Sequence, residues 1–251
     1  MIVVSLGGTA SVQGPPQYEF LSKGVPIGGA MDKGLSEITN VAAGNRADAP
    51  ILEYSLGPMT LRATLDTVVV LGVHTSYDLV PRYLREGEEC TFEAPPRGHW
   101  AYIAVEGGFA SPPLVTTWLN AGSELECSGT VGSQPDHRTR IVQSSLEIDV
   151  HDLRLAALLE SVWTRTETSF NRMGVGLEQT AEFGEGLGLL RLPSSPMCVG
   201  AIQMNPGGRI TVIGPDGPTI GGYPLAGVLS RDAFDRLVQI PFGEAIRFVR
   251  R

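Results

Sequence analysis

The sequence predicts a mainly β protein built as two halves with a few short helices, and three observations carry that reading. Short apolar runs recur at regular spacing between turn residues, the pattern of antiparallel barrels and sandwiches. The 31 Gly and 18 Pro of the 251 residues are scattered without a period, which argues against a helical bundle. A weakly patterned stretch rich in Gly, Ser and Thr, from Gly107-Gly108 to Arg140, separates the two sets of runs. The expected division is residues 1–122, a connection over 123–140, and residues 141–251.

Ile2 to Leu6 reads as an opening strand ending at Gly7-Gly8, and Ala10 to Ser22 as a long polar loop interrupted by proline. Asp32 is placed to cap a helix whose apolar side is Leu35, Ile38, Val41 and Ala42 and which ends at Gly44. Asn45, just beyond it, reads as a local turn cap. Strands follow at Ile51 to Leu56, Met59 to Ala63, Thr67 to Leu71, Glu89 to Glu93 and Trp100 to Val105. Glu53 lies inside the first of these, so its side chain must face solvent or find a partner, and facing out of the sheet is the commoner outcome.

In the second half, His151 to Trp163 reads as a helix and Val175 to Glu178 as a strand. Arg172 is the only cation between Arg165 and Arg191, placed either to clamp a carboxylate or phosphate or to form a structural ion pair. Val199 to Met204 and Arg209 to Gly214 are short buried strands around the turn Asn205-Pro206-Gly207-Gly208. Gly221-Gly222-Tyr223-Pro224 then offers backbone that a ligand or a neighbouring strand can approach closely, although a hairpin turn explains the same residues. Ser230 caps a helix from Arg231 to Leu237, and Ala245 to Val249 closes the chain.

Composition narrows the function. A formal net charge of −8 disfavours nucleic acid or an anionic membrane surface as partner. Only Lys23 and Lys33 are lysines, which leaves little scope for a lysine nucleophile. Cys90, Cys127 and Cys198 read as reduced core residues of a cytoplasmic protein, and the four histidines are too dispersed for a metal site. No signal-like start and no apolar run of roughly 20 residues stands out. Gly184-Glu185-Gly186-Leu187-Gly188 lacks the context of a phosphate-binding loop.

Taken in order, these segments resemble the C subunit of the bacterial ATP-dependent 5-oxoprolinase, the KipA family, grouped with biotin-dependent carboxyltransferases and allophanate hydrolase subunit 2. Ser11-Val12-Gln13 is similar to its Thr-Val-Gln, and Gly24-Val25-Pro26 with Gly29-Ala30-Met31-Asp32 to its Gly-Val-Pro and Gly-Ala-Met-Asp. Asn40, Gly44-Asn45, the strand glutamate Glu53 and the run Tyr102 to Gly108 follow in register. So do Arg172-Met173-Gly174, Gly200 to Gln203, Asp216 and Gly221 to Pro224. Where the family has Arg-Gln-Thr-Thr this chain has Gly217-Pro218-Thr219-Ile220, and Leu225 replaces a lysine.

The resemblance implies two cyclophilin-like β-barrel halves and a heteromeric complex with two other proteins, one KipI-like and one LamB/YcsF-like. Its implied activity is the ATP-dependent hydrolysis of 5-oxo-L-proline, a lactam, to L-glutamate, with ATP held by the complex and not necessarily by this chain. It also implies catalytic roles for Asp216, Arg172 and Tyr223. Substrate contacts would fall to Gln203, Thr219, Gly221, Gly222, Gln13, Met31, Asp32, Asn45 and Glu53. Two other readings stay open: a non-catalytic module that binds a KipI-like partner, and a carboxyltransferase acting on urea or a related amide. In the latter the biotin would come from another protein, because neither lysine here has a biotin-attachment context.

Overall fold

The computed structural model describes residues 1–74, 79–95, 99–127, 147–153, 156–179 and 191–250. The Gly184–Gly188 run, His137 and most of the expected connection lie outside them. The chain divides into two compact units: Met1–Pro16 with Gly28–Gln143, and Gln17–Ile27 with Ser144–Arg251. The mainly β reading holds, with few and short helices.

In the first unit the strands are β1 (Ile2–Leu6), β2 (Thr9–Gln13), β3 (Ile51–Ser55), β4 (Met59–Arg62), β5 (Thr67–Val73), β6 (Arg82–Leu84), β7 (Glu89–Phe92) and β8 (Trp100–Val105). They form a five-stranded sheet, β2-β3-β8-β5-β6, and a three-stranded sheet, β1-β4-β7. One core unites them: Val3, Met59, Leu61 and Phe92 from the smaller sheet meet Leu52, Tyr54, Val69 and Ile103 from the larger. The expected loop over Ala10 to Ser22 is in part strand. Ser11 and Gln13 are buried there, and β2 pairs antiparallel with β3 so that Ser11 faces Glu53. Polar side chains hid a strand whose hydrogen-bond partners are internal.

Helix α1 (Lys33–Ala42) starts where expected, with Asp32 Oδ1 accepting from Leu35 N at 2.9 Å. Its buried side differs from the apolar stripe. Leu35, Ser36, Thr39, Asn40 and Ala42 face inward, while Val41 is exposed. Hydrogen bonds explain the rotation: Thr39 Oγ1 donates to Leu35 O at 2.6 Å and Asn40 Nδ2 to Ala49 O at 2.8 Å. The helix lies on β5 at Gly72, where any Cβ would collide with Thr39 Oγ1.

The second unit holds the short 3-10 helix Tyr18–Lys23, β9 (Glu147–Leu153), α2 (Ala157–Glu160), β10 (Val162–Asn171), β11 (Gly174–Gln179), β12 (Ser195–Pro196), β13 (Ala201–Met204), β14 (Ile210–Ile213), β15 (Ile220–Gly221), β16 (Leu225–Leu229), α3 (Arg231–Gln239) and β17 (Ala245–Arg250). Seven strands close a barrel in the order β10-β11-β14-β13-β16-β9-β17, and β12 pairs with β15 separately. In place of the helix expected from His151 to Trp163, the described residues give the end of β9, the single turn α2 and the start of β10. Val162 and Trp163 are good strand formers, and Trp163 is buried edge-on to Phe248 of β17 at 6.4 Å between ring centres. Short apolar runs fit both periods, and the barrel decides between them.

Ser230 caps α3, accepting from Ala233 N at 3.2 Å. Its other end is held by Arg165 of β10, which is buried and donates to Val238 O at 2.8 Å and Ile240 O at 2.7 Å. Burial pushes the Arg165 guanidinium down to about 9, which still leaves it charged at neutral pH. Of the three thiols, Cys90 is buried as expected, but Cys198 is exposed.

Candidate functional site

The expected site residues fall into two groups, one in each unit. In the first unit, Glu53 does not face solvent: it is 1% exposed and sits across the strand pair from Tyr102. Glu53 Oε2 accepts from Met31 N at 2.7 Å and from Tyr102 Oη at 2.8 Å. Tyr102 Oη in turn accepts from Asp32 N at 2.7 Å. An apolar strand tolerates the glutamate because two buried donors converge on it. Burial, then the Glu53 and Asp32 charges, hold the Tyr102 hydroxyl well above the ordinary tyrosine range, so it stays protonated and donates. Met31, Asp32 and Glu53 are thereby tied to one another, fixing the start of α1 on the sheet.

Asn45 is more than a local cap. Its Nδ2 donates to Val105 O at 2.7 Å and its Oδ1 accepts from Gly107 N at 2.9 Å, fastening the end of α1 to the turn after β8. Gln13 Nε2 donates to Ser11 Oγ at 2.8 Å. Sequence reasoning gave Tyr102 no role. Its position opposite Glu53 follows from strand register, which no local pattern reveals.

In the second unit, Arg172 occupies the tight turn between β10 and β11. Asn171 Oδ1 accepts from Met173 N at 2.9 Å and Gly174 N at 3.2 Å, which closes that turn. The two-pronged contact expected of Arg172 is made to Asp216, with Nε to Oδ2 at 2.8 Å and Nη2 to Oδ1 at 3.0 Å. Arg172 is 1% exposed and the Asp216 side chain 17%. Backbone bonds reinforce the pair: Asp216 N donates to Arg172 O at 3.1 Å and Gly214 N to Met173 O at 2.8 Å. The ion pair and these bonds pin the turn after β14 against the β10–β11 turn.

Beyond that turn the chain runs through Thr219 into β15 and on to Gly222 and Tyr223. Thr219 lines a crevice of about 10 Å³ with Met197 and Gly217, room for one water at most. Residues 191–197 lie alongside: Leu192 N donates to Gly222 O at 2.8 Å, Ser195 pairs with Gly221, and Met197 N donates to Thr219 O at 2.9 Å. A Cβ on Gly221 would lie 2.9 Å from Gln203 Nε2, and one on Gly222 2.9 Å from Leu192 O. These glycines therefore admit the Gln203 amide on one side and the neighbouring strand on the other. The Gln203 amide makes no hydrogen bond among the described residues.

Arg191, which sequence reasoning passed over, stands with its guanidinium 4.1 Å from the centre of the Tyr223 ring. No motif points to it, because the contact depends on how residues 191–197 pair with 219–222. Gly221, Gly222 and Tyr223 are half-buried and Arg191 is exposed, with the buried Gln203 behind Gly221, whereas Arg172 and Asp216 form the support of this wall. Among the described residues no three of His, Cys, Asp or Glu are grouped to hold a metal ion.

A family model described as carboxyltransferase domain, subdomain A and B, matches residues 23–124 and 116–250. This chain belongs to that family. It is 26% identical to the 5-oxoprolinase C subunit of Escherichia coli strain K12, over 99% of this chain and 90% of that protein. Against the 5-oxoprolinase C subunit of Haemophilus influenzae it is 27% identical, over 98% of this chain and 89% of that protein. The carboxyltransferase-domain fold also recurs in solved structures. The crystal structure of TTHA0988 superposes with a TM-score of 0.82 at 22% identity, covering 99% of this chain and 55% of that one. The Kluyveromyces lactis urea carboxylase gives 0.81 at 21% identity, with 99% of this chain and 27% of that one covered. This chain thus spans about half of TTHA0988 and about a quarter of the urea carboxylase, and at these identities the likeness is one of fold. No described helix is long and apolar enough to cross a membrane.

Proposed function

We propose that this carboxyltransferase-domain chain is the C subunit of a 5-oxoprolinase. In this reading it works with a KipI-like and a LamB/YcsF-like protein to open 5-oxo-L-proline to L-glutamate in the cytoplasm. The observation that carries it is the pair of relatives bearing the name of that enzyme's C subunit, each matched across about nine-tenths of its length. The face formed by Gln203, Gly221, Gly222 and Tyr223 supplies the substrate wall. Arg172 acts as a positioning residue, because its guanidinium already grips Asp216.

ATP does not fit the described residues around this wall. A triphosphate needs several cations or convergent N–H groups, yet among the described residues the wall offers Arg191 alone, because Arg172 beneath it is paired with Asp216. The nucleotide is therefore assigned to another part of the assembly, and no step at this site is routed through it. The test is ATP-dependent glutamate release from 5-oxoproline by the organism's own KipI-like and LamB/YcsF-like proteins, with and without this chain. Release that requires the chain supports the proposal; release at the same rate without it defeats it.

A second reading, a non-catalytic module for a KipI-like partner, draws on the buried polar network of Met31, Asp32, Glu53 and Tyr102, whose hydrogen bonds fasten the start of α1 to the sheet. Under it the chain forms a stable complex with the KipI-like protein and adds nothing to turnover.

A further inference from the structure

We propose that Arg191 is the carboxylate-binding residue of the wall formed by Gln203, Gly221, Gly222 and Tyr223, and that this wall takes a small carboxylate that also carries a lactam or amide. The proposal rests on the 5-oxoprolinase reading only for the identity of that molecule. The geometry around Arg191 carries the rest.

A guanidinium laid on an aromatic ring spends its face, not its rim, and keeps its in-plane N–H donors for a carboxylate. Arg191 is in that arrangement, 4.1 Å from the Tyr223 ring centre. It is exposed and has no ion pair among the described residues. Arg172, by contrast, has its charge matched by Asp216. The position of Arg191 is set by the backbone: Leu192 next to it bonds Gly222, and the Ser195–Gly221 pairing continues the contact.

On the other side of Gly221 lies the Gln203 amide, with no hydrogen bond among the described residues. A lactam presents its C=O and N–H side by side, and a primary amide offers the matching donor and acceptor. Exposed Arg191 on the Tyr223 ring thus takes the carboxylate end of one small molecule, and the Gln203 amide, buried against Gly221 and Met197, takes its lactam end.

The test is steady-state kinetics of 5-oxoproline hydrolysis by the assembly of this chain with its KipI-like and LamB/YcsF-like partners. Arg191→Gln should raise KM about tenfold or more while kcat changes by less than about threefold, since uniform binding is lost. Arg191→Lys should fall between, keeping charge without the planar fork. Inhibition by 2-pyrrolidinone, which has the lactam and no carboxylate, should be equal in wild type and Arg191→Gln. An unchanged KM in Arg191→Gln overturns the proposal, and so does an equal loss of 2-pyrrolidinone affinity, which marks a merely structural role. If the wild-type assembly fails to turn over 5-oxoproline, the functional reading falls separately. Arg191 is then tested by titrating the chain with 5-oxoproline and following tyrosine fluorescence. Saturable binding lost in Arg191→Gln upholds its role, and no difference between the two proteins, or no binding at all, overturns it.

Discussion

Glu53 shows how little a residue's type says about its job until its partners are known. It accepts two buried hydrogen bonds, from a backbone N–H and from a phenol. Removing the carboxylate orphans both donors, so Glu53→Ala should cost about 2 to 5 kcal/mol, read from urea unfolding. An effect under about 1 kcal/mol would contradict the network. Arg172→Ala leaves the Asp216 carboxylate facing a lost partner and should cost about 2 to 4 kcal/mol, less than a fully buried pair because Asp216 keeps some solvent. Impaired turnover in that variant would therefore accompany a loosened support.

Tyr102 adds a pH signature. Its folded hydroxyl titrates above the ordinary value of about 10, so above that pH the folded state holds a proton that the unfolded state has released. Its contribution is complete below about pH 10 and is lost as pH rises further. Tyr102→Phe should flatten the alkaline fall in stability by up to about 1.4 kcal/mol per pH unit. Unfolding curves collected across the alkaline range would reveal an unchanged slope if the hydroxyl were not buried as described.

At the scale of elements, capping chemistry was legible and facing was not. Asp32 and Ser230 were readable as helix starts because a short acceptor before an amphipathic run has a local cause. The inward side of α1 was misread because Thr39 and Asn40 bury themselves through hydrogen bonds to chain that a periodic pattern does not register. Contact between α1 and β5 depends on the missing side chain of Gly72. Gly72→Ala should destabilise by about 1 to 3 kcal/mol through that collision, and adding Thr39→Ala should recover part of the loss in a double-mutant cycle. Additive losses would mean that the helix does not rest there. The end of α3 offers a parallel case, since no motif announces that Arg165, on a barrel strand, will supply its last carbonyls with donors.

For the whole molecule, the β character and most strand positions followed from turn residues and apolar runs, which are local facts. Closure of the second unit into a barrel, the strand pairing that buries Glu53 opposite Tyr102, and the stacking of Arg191 on Tyr223 are facts of register between distant segments. Glycines and a tyrosine drew attention to the stretch on which the proposed wall is built. Its cation was missed because residues 191–197 reach it by pairing, not by sequence proximity.

The segment Gln17–Ile27 belongs to the second unit although β2 and α1 of the first unit flank it in the chain. Leu21 and Ile27 share a crevice with Met197 and Thr219, roughly 180 residues downstream. On a ribosome adding about 5 to 20 residues per second, that segment waits some 10 to 35 seconds for its neighbours to be made. The first unit can gather its strands in the meantime, while these few residues remain a tethered loose end that only the last third of the polypeptide can recruit.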